Sequence, residues 1–145
     1  MTATRTAEAT WENDLLHGGG HVKGTTGALP QMAISWSSRT EAPGGKTSPE
    51  ELLAAAEASC FAMAFSNTLA KTQKPPKRIH VTATATFDKV GDGFSVTVMD
   101  LDVVGQVPGI DAAQFQEAAK SASQNCPISR AIKGNVEVRL TARLE

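Results

Sequence analysis

The chain has 145 residues, of which 41% are hydrophobic, and its formal net charge is −1. This size suits one domain over residues 1–145, and the apolar content supports a hydrophobic core and argues against disorder. No block of Lys or Arg is present, so the sequence indicates neither a nucleic-acid partner nor a membrane-surface partner. Residues 1–5 lack the apolar core of a signal peptide, which predicts a cytoplasmic protein.

The first third of the chain predicts a small meander of strands that leads into a long helix. Loosely alternating apolar residues predict three strands, at residues 5–11, 22–27 and 32–36. A loop rich in Gly and Pro follows at residues 40–47. Ser48, Pro49 and Glu51 are then the residue types favoured at the N-cap, first and third positions of a helix, which we expect over residues 49–71.

This helix has almost no polar face. Between Leu52 and Ala70 the one charged residue is Glu57, so we expect a long central helix that is buried on most sides. A membrane span is the alternative, but Glu57 and several hydroxyl and amide side chains argue against it. Because one six-stranded sheet gives such a helix too little cover, we expect a homodimer with the helix at or near the interface.

The second half of the chain predicts a hairpin, two helical segments and a last strand. The hairpin strands lie at residues 79–87 and 94–104. Asp111 and Gln114 form a capping signature for a helix that ends near residue 124. A short helical turn to residue 132 and a strand at residues 136–140 complete an α+β order of βββ-α-ββ-α-β with an antiparallel sheet.

The chain has two cysteines, Cys60 in the long helix and Cys126 before a proline. In a reducing cytosol a standing disulfide is improbable, so two thiols are either inert core residues or a redox-active pair. A metal site is poorly supported, because no Cys-x-x-Cys motif exists and His17, His21 and His80 have no ligand spacing to either cysteine. No metal site is therefore expected.

A reactive Cys60 would need help from a cation. It lies in the third turn of its helix, where the helix dipole has faded, and burial would raise the pKa of its thiol. Arg39 is the best candidate, with Glu50 or Glu41 as the carboxylate that orients it. Glu50 precedes Cys60 by ten residues, about 15 Å along the helix, so it would act from the other subunit or reach Arg39 across an interface.

Several segments together resemble the OsmC/Ohr family, and the resemblance covers essentially the whole chain. Residues 47–61 are similar to the family's central helix, and residues 125–129, Asn-Cys-Pro-Ile-Ser, are similar to its second cysteine motif. Residues 107–111 and Trp11 fit as well. The position of Arg39, before the glycine-rich loop, resembles the OsmC branch of the family.

The resemblance implies a thiol-dependent peroxidase that reduces organic hydroperoxides and, less efficiently, hydrogen peroxide. Cys60 would become a sulfenic acid, Cys126 would resolve it to a disulfide, and Arg39 oriented by Glu50 would hold the thiolate. The resemblance implies an intertwined homodimer without cofactors and a dithiol reductant of the lipoyl type. The alternative is a redox-sensing or ligand-binding dimer of the same fold without significant turnover.

One residue departs from the family pattern. Glu57 lies one helical turn before Cys60, where the family often has a neutral side chain or His. A carboxylate there would raise the pKa of Cys60 and oppose Arg39. The sequence leaves open whether Glu57 faces solvent or pairs with a Lys or Arg.

Overall fold

A computed structural model describes all 145 residues, which divide into two compact units, Met1–Leu52 and Leu53–Glu145. Six strands and four helices make up the chain, which confirms the predicted α+β class. In chain order they are β1 (Ala7–Glu12), β2 (Gly19–Gly24), β3 (Met32–Ile34), α1 (Trp36–Thr40), α2 (Pro49–Lys71), β4 (Arg78–Val90), β5 (Gly93–Gln106), α3 (Ala112–Asn125), α4 (Pro127–Ile132) and β6 (Glu137–Leu144).

The Met1–Leu52 unit contains the predicted meander, in which β1, β2 and β3 form an antiparallel sheet in that order. The strand expected to reach residue 36 ends at Ile34, because Ser35 begins helix α1 instead. The Ser35 hydroxyl accepts a hydrogen bond from the Ser38 amide, and the Ser38 hydroxyl accepts one from the Ser35 amide, both at 3.1 Å. This reciprocal cap explains why the predicted strand stops before residue 36 and the chain forms a helical turn.

Helix α2 begins as the sequence predicted. The Ser48 hydroxyl accepts a hydrogen bond from the Glu51 amide at 3.1 Å, and Pro49 occupies the first helical position. The Glu51 carboxylate does not close a capping box with Ser48. It accepts a hydrogen bond from the Thr47 hydroxyl at 2.5 Å, which ties the last residues of the loop to the first turn of the helix.

Within one chain, α2 is less buried than expected. One line of side chains at four-residue spacing is fully buried, and a line on the opposite side of the helix is exposed. The buried line is Glu57, Phe61, Phe65 and Leu69, and the exposed line is Ala55, Ser59, Met63 and Asn67. Burial on most sides therefore does not hold within a single chain, because the chain provides packing partners for one face of the helix.

By length and mean hydropathy alone, α2 is the one helix of this chain that could cross a membrane. The core helix of a globular protein passes the same test. Phe61, Phe65 and Leu69 lie in the hydrophobic core of the Leu53–Glu145 unit, which accounts for the apolar composition of this helix.

The second sheet, in the Leu53–Glu145 unit, has the order β4-β5-β6. Strands β4 and β5 form the predicted hairpin, with an irregularity between Thr86 and Phe87. Strand β6 pairs parallel to β5, with Leu101 opposite Leu140. The structure thus differs from the expected antiparallel sheet, because α3 and α4 form a crossover that returns the chain in the direction of β5. The six strands also form two three-stranded sheets rather than one six-stranded sheet.

The core of this unit lies between the sheet and the helices. Alternate residues of β5, Met99, Leu101 and Val103, are almost fully buried. The Phe65 ring of α2 meets the Phe115 ring of α3, with centroids 5.0 Å apart. Helix α3 begins with the predicted capping box, in which Asp111 accepts from the Gln114 amide at 2.8 Å. Two helices are therefore held on one sheet face, and they carry the two cysteines.

Candidate functional site

Cys126 marks the junction of two helices. It is the C-cap of α3, where its amide donates to the Ala122 carbonyl at 2.8 Å, and it is also the N-cap of α4. Its backbone is extended, with φ −63° and ψ 121°, as expected for a residue before proline. The Cys126–Pro127 pair thus ends one helix and begins the next, and the Cys126 side chain is fully buried at that corner.

Cys60 is half-buried on α2 and is a direct neighbour of Cys126. The Cys126 side chain and the backbone amide of Ile128, in the first turn of α4, are close enough to Cys60 to shift the pKa of its thiol. Both cysteines are free thiols. The fold therefore brings together two thiols that are far apart in the sequence, at the contact between α2 and the start of α4.

The surroundings of Cys60 favour the neutral thiol. Burial raises its pKa most strongly, and the Cys126 thiol and the Glu57 carboxylate raise it further. The Ile128 amide acts in the opposite direction, because a donor stabilises the thiolate. No cation of the Leu53–Glu145 unit is among these influences. The groups of this unit that act on Cys60 therefore disfavour its thiolate.

Glu57 neither faces solvent nor pairs with a Lys or Arg, the two environments that the sequence left open. It is fully buried, and the Ser129 hydroxyl donates a short hydrogen bond to its Oε1. Its Oε2 is buried without a hydrogen-bond partner. Burial raises the pKa of Glu57, and the Ser129 hydrogen bond lowers it in part. Sequence reasoning did not single out Ser129, although its place in the second cysteine motif, three residues after Cys126, was a signal.

Arg39 and Glu50 form an ion pair in the Met1–Leu52 unit. Arg39 lies in the last turn of α1, and Glu50 lies in the first turn of α2 with a largely buried side chain. The guanidinium Nε is 3.2 Å from both carboxylate oxygens, and Nη2 is 2.6 Å from Oε1. The guanidinium carbon also lies 5.8 Å from the centroid of the Trp36 ring. This two-pronged contact fixes the plane of the guanidinium.

The pairing settles two open points about the orienting carboxylate. Glu50, and not the exposed Glu41, contacts Arg39. The contact lies within one chain, so Glu50 does not need an interface to reach Arg39, and the alternative that Glu50 acts on the Cys60 of the other subunit stays a prediction. Helix α1, which the sequence analysis missed, is the reason: its short turn points residue 39 back toward the start of α2.

The structure thus groups the four predicted site residues into two pairs. Cys60 and Cys126 meet in the Leu53–Glu145 unit, and Arg39 and Glu50 meet in the Met1–Leu52 unit. Met63 is 69% exposed and Trp11 is 38% exposed. His17 is exposed and pairs with Asp14 at 3.0 Å.

Comparison with known proteins gives a consistent result. The profile of the family described as OsmC-like protein matches residues 42–141. Peroxiredoxin OsmC of Escherichia coli (strain K12) is 38% identical over 136 residues, which is 94% of each chain. An organic hydroperoxide resistance protein of Xanthomonas axonopodis pv. citri (strain 306) is 36% identical over 101 residues, 69% of each chain.

Solved structures agree with this assignment. The crystal structure of an organic hydroperoxide resistance protein from Elizabethkingia anophelis superposes with a TM-score of 0.74, at 27% identity and complete coverage of both chains. The structure of OhrB from Bacillus subtilis has a TM-score of 0.70 at 25% identity, covering 95% of this chain and 98% of that one. On the profile match and the relative that is 38% identical across nearly its whole length, this chain belongs to the OsmC-like protein family.

Proposed function

We propose that this protein is a cysteine-based peroxidase that reduces organic hydroperoxides and, more slowly, hydrogen peroxide. The observation that carries the proposal is the contact between the free thiols of Cys60 and Cys126. The names of the relatives, a peroxiredoxin and organic hydroperoxide resistance proteins, support the same activity and a role in the response to oxidative stress. Two buried thiols kept only for packing would have no need to be neighbours.

In the first step the Cys60 thiolate attacks the terminal oxygen of the hydroperoxide. A sulfur–oxygen bond forms, the O–O bond breaks, and the alcohol leaves after taking up a proton. Cys60 is then a sulfenic acid. We assign Arg39 to this step as the cation that stabilises the thiolate and polarises the peroxide, because a guanidinium stays charged when it is desolvated. Glu50 orients Arg39 through the ion pair at 2.6 Å.

In the second step Cys126 resolves the sulfenic acid. The Cys126 sulfur attacks the Cys60 sulfur, a disulfide forms, and water leaves. The proximity of the two thiols supports an intramolecular disulfide. Two electrons and two protons from a dithiol of the lipoyl type then restore both thiols. These steps need no metal or organic cofactor.

We further propose that the protein acts as a homodimer. The exposed line of α2 includes Met63, an apolar side chain at 69% exposure that a second copy would cover. A cytoplasmic location remains a prediction from the polar N-terminal residues.

The direct test is turnover. The wild-type protein should consume cumene hydroperoxide when supplied with a dithiol such as dihydrolipoamide, and Cys60→Ser should abolish this consumption. In Cys126→Ser, Cys60 should still react with one equivalent of peroxide, but the dithiol should no longer restore the Cys60 thiol rapidly. If wild-type Cys60 is oxidised but no dithiol restores it, the protein is a redox sensor or binding module and not a peroxidase.

A further inference from the structure

A buried carboxyl group lies beside the cysteine pair and has no role in the chemistry described so far. Glu57 is fully buried in the Leu53–Glu145 unit, and Ser129 is its one hydrogen-bond partner. Its second carboxylate oxygen is buried without a partner. An apolar side chain would fill this position without such a desolvated oxygen, so packing alone does not explain the residue.

The hydrogen bond between Ser129 and Glu57 lies next to both cysteines in the fold. Glu57 and Cys60 are three residues apart on α2, which places them on the same side of the helix in successive turns. Ser129 and Ile128 are neighbours in the first turn of α4, directly after Cys126 and Pro127. The start of α4 therefore contacts α2 at two points, through the Ile128 amide at Cys60 and through the Ser129 hydroxyl at Glu57.

Of these two contacts, the hydrogen bond from Ser129 to Glu57 is the one that oxidation of Cys60 does not alter. Oxidation adds an oxygen to the Cys60 sulfur and changes the acceptor that the Ile128 amide meets. The hydrogen bond between Ser129 and Glu57 involves no reacting atom, so it continues to hold α4 against α2 while the sulfenic acid waits for attack. Because Cys126 is the N-cap of α4, fixing α4 also fixes the resolving sulfur.

We propose that Glu57 and Ser129 are positioning residues for the resolving step: their hydrogen bond holds the start of α4 on α2, so that Cys126 stays within reach of oxidised Cys60. This inference rests on the proposed function for its physiological meaning, but the closure of a disulfide between the two cysteines can be measured without a peroxide. The predicted consequence of losing the hydrogen bond is a slower second step. The sulfenic acid would then live longer and react with other nucleophiles or with more peroxide.

Three variants separate the hydrogen bond from the charge. Ser129→Ala removes the donor. Glu57→Leu removes the acceptor and replaces it with an apolar side chain of similar size, which suits a buried site. Glu57→Gln removes the charge but keeps a carbonyl oxygen that can accept from Ser129. Two exposed residues of the same unit provide matched controls, Ser95→Ala on β5 and Glu117→Gln on α3.

The measurement is the partition of the sulfenic acid in a single turnover. Each variant receives cumene hydroperoxide in the presence of dimedone, and mass spectrometry gives the ratio of dimedone adduct to disulfide. We expect Ser129→Ala and Glu57→Leu to raise this ratio about fivefold or more, whereas Glu57→Gln and both controls match the wild type. A loss of stability alone would reduce the amount of folded protein without changing this ratio for the molecules that remain folded.

A second measurement needs no peroxide. An aromatic disulfide reagent first forms a mixed disulfide with Cys60 and releases one coloured thiolate. Cys126 then attacks Cys60, forms the intramolecular disulfide and releases a second coloured thiolate. Release of the second thiolate should slow about fivefold or more in Ser129→Ala and Glu57→Leu. This result would hold even if the wild-type protein failed to react with hydroperoxides, which separates the two proposals.

The proposal is overturned if Glu57→Leu and Ser129→Ala close the disulfide at the wild-type rate in both measurements. It is equally overturned if Glu57→Gln is as slow as Glu57→Leu, because the charge and not the hydrogen bond would then be responsible. Should Ser129→Ala fail to fold, the comparison of Glu57→Leu with Glu57→Gln decides the outcome by itself.

Discussion

At the scale of single residues, desolvation is the main influence on the pKa of the Cys60 thiol. Burial raises the pKa of its thiol, and two further groups, the Cys126 thiol and the Glu57 carboxylate, act in the same direction. One backbone amide, that of Ile128, acts against them. A thiol in this environment is a poor nucleophile until a positive charge is brought to it, which is the part we assign to Arg39.

The first residue-scale prediction concerns the charge of Glu57. Glu57→Gln removes a negative charge next to Cys60, so the thiolate becomes less unfavourable and the pKa of Cys60 should fall. The rate of alkylation by iodoacetamide as a function of pH reports that pKa, and its rise should move to lower pH in the variant. Glu117→Gln, an exposed change on α3, should leave the profile in place. An unchanged profile in Glu57→Gln would show that Glu57 is neutral when Cys60 titrates.

The second residue-scale prediction concerns Arg39. Arg39→Lys keeps the charge but loses the planar, two-pronged contact with Glu50, so the cation is no longer held in one orientation. We expect kcat/KM for cumene hydroperoxide to fall about tenfold or more. Arg143→Lys is the matched control, since Arg143 pairs with Asp102 at 3.0 Å on the exposed face of the second sheet. Equal activity of Arg39→Lys and wild type would remove Arg39 from the mechanism.

At the scale of helices and strands, much of the fold could be predicted because its signals are local. Ser48 at the start of α2 and Asp111 at the start of α3 cap their helices as their residue types indicate. Helix α1 was missed because its cap depends on two serines, Ser35 and Ser38, and Ser35 also fits the end of the strand predicted at residues 32–36. The parallel pairing of β6 was missed because strand direction depends on how the crossover packs, which no local pattern encodes.

The residues of the candidate site could likewise be predicted from the sequence only in part. The two cysteine motifs identified Cys60 and Cys126, and the need for a cation identified Arg39. The residues alone left both Glu50 and Glu41 open, because the choice depends on the direction in which the unforeseen turn of α1 points, and the family resemblance favoured Glu50. The environment of Glu57 was equally out of reach, since its partner Ser129 lies 72 residues away.

The element-scale prediction tests the cap of α3, the helix that ends at Cys126. Asp111→Ala removes the acceptor for the Gln114 amide and should lower the free energy of unfolding by about 1 kcal/mol. Urea denaturation at fixed protein concentration measures this difference. Asp92→Ala, in the exposed turn between β4 and β5, should change stability by less than about 0.5 kcal/mol. Equal effects of the two substitutions would mean that the cap adds nothing to stability.

At the scale of the whole molecule, one long helix combines a fully buried line of side chains with an exposed line that includes Met63. The buried line is used within the chain, and the exposed line is what a second copy would cover. The proposed dimer would thus explain why this helix has so little polar surface.

The corresponding prediction is a change in oligomeric state. The wild-type protein should sediment as a dimer at micromolar concentration, and Met63→Glu should shift it toward the monomer because a charge would be buried at the interface. Leu16→Glu, at a comparably exposed apolar residue, is the control and should remain dimeric. A wild-type protein that sediments as a monomer would contradict the proposed dimer.

The central claim is that Cys60 and Cys126 form a peroxide-driven redox pair, and intact mass with a free-thiol count tests it most directly. After one equivalent of cumene hydroperoxide, the wild-type chain should lose about 2 Da and both free thiols, as expected for an intramolecular disulfide. Cys60→Ser should show neither change. Two remaining thiols and an unchanged mass in the wild-type protein would contradict the peroxidase mechanism.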